Sequence, residues 1–138
     1  MVRLAVIPAA LVLALAAGGC SVGGSSTASN GGFTGTRGEV AQTLNTFSSD
    51  ASSNNATDIC ANVLGKAALA RIAKIGTCKT IITNQLKTID DFTLTVESID
   101  LHGATATAHV QTPRNGTKVT QPITLRRETA GWRIDSLG

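Results

Sequence analysis

The chain predicts an α+β domain of three N-terminal helices packed on a curved antiparallel sheet of about four strands. Three observations carry this. Apolar residues recur at helical spacing from Val40 to Ile89. After Asp90-Asp91 the period changes to two. Turn signals at Gly103, Asn115-Gly116 and Gly131 then divide the alternating part into short runs.

The helices come first. Thr36-Arg37-Gly38-Glu39 reads as a capping box, with Val40, Leu44, Phe47 and Ala51 following on one face. This helix should end near Ser52-Ser53-Asn54, and Asn54 or Asn55 caps the next segment, which holds Asp58, Ile59, Cys60, Val63 and Leu64. Gly65 interrupts it. Lys66 to Ile75 adds further helical turns with Leu69, Ile72 and Ile75 inward, and Gly76 stops them. Thr77 caps the third helix, which carries Cys78, Ile81, Ile82, Leu86 and Ile89.

The strands follow. Phe92, Leu94 and Val96 alternate with polar residues, and Ile99 and Leu101 continue on the opposite parity, so a β-bulge is expected near Ser98. Ala104 to Thr112 is the next strand, with Ala104, Ala106, Ala108 and Val110 on its buried face. Asn115-Gly116 is a hairpin signal, and Val119, Ile123 and Leu125 mark a strand in which Pro122 points to an edge or a bulge. Trp132 and Ile134 close the sheet.

Only residues 37–138 are expected to pack into this domain. Residues 1–19 have the parts of an export signal: Arg3, an apolar run from Leu4 to Ala17 too short to span a bilayer, and the small residues Ala17-Gly18-Gly19 before Cys20. This segment resembles the bacterial lipoprotein signal. The resemblance implies a lipid thioether on Cys20, cleavage before it and acylation, palmitate-like, of the new amine. Ala17 stands where the lipobox usually has Leu, and Ala-x-Ala cleavage at Ala14–Ala17 would give an ordinary secretory signal instead. Two or more acyl chains suffice for stable anchoring. Residues 20–36 then supply the lipidated cysteine and a Gly/Ser tether with a reach of about 20–25 Å. The expected location is the extracytoplasmic face of the cell membrane, with the membrane as partner through the anchor.

Export sets the redox chemistry. Cys60 and Cys78 are the thiols left, and in an oxidising compartment a disulfide between them is the default. No Cys-x-x-Cys pair supports a redox role. Cys60, Cys78, His102 and His109 match no zinc-module spacing, so no metal or cofactor is expected. The formal charge is +3 overall and +2 once Arg3 is removed, with scattered basic residues and no Tyr. That argues against nucleic acid as a partner.

The strand order, Cys60 and Cys78 flanking the middle helices, the Ala104–Val110 strand and Arg126-Arg127-Glu128…Gly131-Trp132-Arg133-Ile134 together resemble the nuclear transport factor 2-like, or cystatin-like, superfamily. Within it the match is to small exported lipoproteins of the actinobacterial type, over roughly residues 37–138. The superfamily includes enzymes with acids and histidines inside a cone-like cavity. Here parity places His109 and Asp135 outward, His102 and Asp90-Asp91 at junctions, and Asp58 in a first helical turn. No catalytic residue is expected. Ala104, Ala106, Ala108 and Phe47 are candidate pocket lining for a small apolar ligand, unless the first helix packs closely on the alanine face through Phe47 and Leu44. The reading is a non-catalytic binding or interaction module, its partner an envelope protein or a small apolar ligand. The alternative is a cavity enzyme, hydrolase or isomerase.

Overall fold

The structure is a computed structural model that describes residues 31–89 and 92–138. The expected signal peptide, Cys20 and most of the tether lie outside the described residues, as do Asp90 and Asp91.

Helix α1 spans Gly35–Ser52 and buries Val40, Ala41, Leu44, Phe47 and Ala51 along one stripe. Thr34 is its N-cap, with no side-chain cap bond. The Thr36–Glu39 capping box does not form. The Glu39 carboxylate instead accepts a hydrogen bond from Trp132 Nε1 at 3.3 Å. A distant partner in the tertiary fold has taken the acceptor that local pairing would have used.

Asn55, one of the two expected caps, accepts from the Asp58 backbone N–H and starts α2, Ala56–Asp58. The helix widens into a π turn over Ile59–Val63. Leu64 then leaves in extended conformation and pairs in parallel with Ile134, and the Gly65 N–H donates to the Ile134 carbonyl at 2.8 Å. Gly65 does interrupt the helix. Its lack of a side chain is required by space: a Cβ there would lie 2.8 Å from Asp135 Oδ1 and 3.2 Å from Arg133 Cβ.

Helix α3 spans Lys66–Ile72, and α4 spans Cys78–Leu86 with Thr77 accepting from the Thr80 N–H as its cap. Ile75, expected inward, and Ile89, expected within the third helix, are 72% and 41% exposed. Both lie past the end of a helix, Ile75 after Ile72 and Ile89 after Leu86, so the helical period no longer directs them to the core.

Four antiparallel strands follow in the order β1 (Thr95–His102), β2 (Thr105–Arg114), β3 (Thr117–Glu128) and β4 (Gly131–Ser136). The β1–β2 register shifts between Val96 and Ser98, which leaves Glu97 as the bulge residue next to the expected position. Asn115 and Gly116 have φ of 51° and 76°, the left-handed pair of a two-residue hairpin. Pro122 pairs with His109, at a point on β3 before its pairing with β4 begins at Thr124. It therefore lacks an N–H where none is used. The core gathers Val40, Leu44 and Phe47 of α1, Ile59 and Val63 of the π turn, and Ala108, Val110, Ile123, Leu125, Trp132 and Ile134 of the sheet. Phe47 also meets Phe92 edge to face, with ring centroids 5.2 Å apart.

Candidate functional site

The expected pocket lining divides. Ala106, Ala108 and Phe47 are buried and belong to the same cluster as Leu44. None of them lines the clefts described below. Ala104 departs from the expectation: β2 begins at Thr105, so Ala104 sits exposed in the turn with Gly103. His102 is exposed, and His109 is half-buried with Nε2 at 3.6 Å from Asp100 Oδ2 across the β1–β2 ladder. The sulfurs of Cys60 and Cys78 lie at disulfide distance with Cα atoms 6.0 Å apart, joining the π turn to the first residue of α4.

Beside the edge strand β4 is an open cleft of about 500 Å³. Glu39, Gln42, Thr43 and Thr46 line it from α1, Asn62 from the π turn, and Arg127 and Arg133 from the sheet. Trp132 forms part of its wall and is pinned twice. Its indole donates to Glu39, and its carbonyl accepts from Thr43 Oγ1 at 3.2 Å. Two guanidiniums beside side-chain amides and hydroxyls offer many donors, a set suited to carboxylate or peptide groups. Arg126, which the sequence groups with them, is instead paired with Asp135 at 3.0 Å. A wider cleft of about 750 Å³ separates the end of α4 from the β2–β3 hairpin tip.

Asp135 is a correction. Alternation with Trp132 and Ile134 places it outward, yet it is 6% exposed. The Leu64–Gly65 segment packs on β4 and covers that position, as the approach of Gly65 to Oδ1 requires. Its Oδ1 has no hydrogen-bond partner, while Oδ2 accepts from Arg126 Nε. Asp135 also lines a small apolar groove of about 190 Å³ between α3, α4 and the end of β4.

A second buried carboxylate, Asp50, escaped the sequence reading. It follows Phe47 by one helical turn on the apolar stripe of α1, and that spacing was the available signal. Burial pushes its pKa above the usual aspartate value, and the Asp58 charge and a hydrogen bond with Asp58 push it the same way. Asp50 Oδ2 finds no donor among the described residues. Asp58 Oδ1 in turn accepts from Asn62 Nδ2. Among the described residues no three His, Cys, Asp or Glu side chains gather as a metal site would need. Nor is any described helix long and apolar enough to cross a membrane.

No protein-family model matches the chain, and no curated protein is similar to it in sequence. Among solved structures it is similar to a Campylobacter jejuni protein assigned as an NTF2-like transpeptidase. The identity is 12% and the TM-score 0.40, covering 64% of this chain and 90% of that one.

Proposed function

We propose that this chain is a lipid-anchored extracytoplasmic module of the cell envelope that binds a partner without catalysis, and that the cleft between α1 and β4 is where the partner docks. The observation that carries the anchor is Cys20 behind Ala17-Gly18-Gly19, followed by a Gly/Ser tether before the first helix. Support for docking comes from the cleft itself. It is open, it is rich in donors, and neither Arg127 nor Arg133 is held by a carboxylate among the described residues. An envelope protein presenting acidic or carboxylate-bearing side chains suits that chemistry.

Replacement of Cys20 by Ala tests the anchor. The variant should either leave the detergent-extracted membrane fraction for the medium or remain as uncleaved precursor. A processed Cys20→Ala chain that still needs detergent would overturn the lipid. For the cleft, an Arg127→Glu/Arg133→Glu chain used as bait should lose cross-linked partners that the parent captures. Equal capture by both would remove the cleft from the reading.

One observation favours a cavity enzyme, namely Asp135 buried at an apolar groove with one oxygen unpaired. That groove has no second acid or histidine in its lining, and Arg126 already engages the carboxylate. Acid–base chemistry there would rest on a single side chain.

A further inference from the structure

The segment from the π turn through α4 carries cations and no carboxylate. From Ile59 to Ile89 there are five cations, Lys66, Arg71, Lys74, Lys79 and Lys87, and no Asp or Glu. All five are exposed, and neither of the ion pairs His109–Asp100 and Arg126–Asp135 involves any of them. In the turn between the two helices stands Ile75, 72% exposed and the most exposed large hydrophobic among the described residues. Lys74 precedes it, Arg71 shares the apolar groove with it, and Lys79 lies in the first turn of α4. Behind Ile75 the groove is lined by Ile72, Ile81, Ile82 and Leu137. The one carboxylate in that lining, Asp135, is neutralised by Arg126. Cys78, at disulfide distance from Cys60, ties this turn back to the body of the domain.

We infer that this tip, Ile75 with Arg71, Lys74 and Lys79, is a docking surface for an anionic phospholipid bilayer. An exposed aliphatic side chain on a segment that carries cations and no carboxylate fits the boundary between headgroups and acyl chains. The apolar group enters and the charges stay at the phosphates. A soluble partner of neutral or basic surface would gain nothing from the missing carboxylates. The inference deepens the proposed function. A tether of about 20–25 Å would keep the domain within reach of its own membrane, and the tip would set which face turns toward it.

The test needs no lipid on Cys20, so its outcome is separate from that of the anchor. The chain from Ser21 onward, which keeps every described residue, is sedimented with vesicles of phosphatidylcholine alone or mixed with phosphatidylglycerol. Binding is expected to the mixed vesicles only and should weaken as salt rises. Each cation near an anionic surface contributes about fivefold. Lys74→Glu/Lys79→Glu should therefore lower binding by at least ~20-fold, and Ile75→Ser should lower it several-fold. Because all three positions are exposed, the thermal melting of these variants should match the parent and serves as the folding control. Absence of binding to mixed vesicles, or parent-like binding by the variants, overturns the inference. So does self-association without lipid that Ile75→Ser abolishes, since the tip would then face a second copy of the chain.

Discussion

Trp132 Nε1 donates to Glu39 Oε2 at 3.3 Å, a bond between residues ninety-three positions apart that fastens the start of α1 to the edge strand β4. Thr43 Oγ1 adds a second tie, one helical turn along, to the Trp132 carbonyl. Trp132→Phe would keep much of the packing and lose the indole donor. It should cost about 0.5–1.5 kcal/mol in urea unfolding. Trp132→Ala, which also empties part of the core, should cost about 3–5 kcal/mol. Equal losses for the two variants would mean that the hydrogen bond contributes most of the effect.

Asp50 sets a pH dependence. Its folded-state pKa is raised, so between the unfolded value and the raised one the folded chain holds more protons than the unfolded chain. The contribution of this residue to stability is therefore greatest in acid and is lost as pH rises through the folded pKa. Asp50→Asn keeps a donor for Asp58 and removes the buried charge. At neutral pH it should raise stability by about 1 kcal/mol, and the advantage should shrink as pH is lowered. Thermal melts at several pH values measure it; a variant less stable than the parent at pH 7 contradicts the assignment.

The cysteine pair closes a loop over a sequence separation of 18. If it is oxidised in the mature protein, loop-closure entropy makes the bridge worth about 3 kcal/mol. Cys60→Ser/Cys78→Ser should lower the melting temperature, and reductant should bring the parent to the same value. Melting unaffected by reductant would show that the thiols are free.

Gly65→Ala tests the close approach over β4. The new methyl would stand 2.8 Å from Asp135 Oδ1, so either the carboxylate or the Leu64–Gly65 segment must move. A loss of about 1–3 kcal/mol is expected in chemical denaturation. Adding Asp135→Ala to the same chain should recover part of it, because the obstructing oxygen is gone.

Local rules made much of this fold legible. The Asn115-Gly116 hairpin, the bulge beside Ser98, the Asn55 cap and the break at Gly65 each depend on a few adjacent residues, and each appears at or next to the expected place. Buried parity on β2 also follows from alternation, for Ala106, Ala108 and Val110 though not for Ala104 at the strand's start. What escaped was set by distant segments. Glu39 left its capping box for Trp132, and Asp135 was covered by Leu64–Gly65. Ile75 and Ile89 were misplaced because their helices ended earlier than periodicity implied. Of the site, Arg126, Arg127 and Arg133 stood in the sequence only as parts of the closing motif, and only the folded sheet separates the paired one from the two beside the cleft.

The long hairpin of β2 and β3 outruns both its neighbours. β1 meets β2 no further than Gln111, and β4 meets β3 no nearer the tip than Thr124. Toward Asn115 the ribbon thus has two margins that no neighbouring strand pairs, the kind of surface through which chains zip together. Pro113 and Pro122 remove amide donors from those margins, and Arg114 and Lys118 place like charges beside them. This arrangement protects the ribbon against strand exchange between molecules.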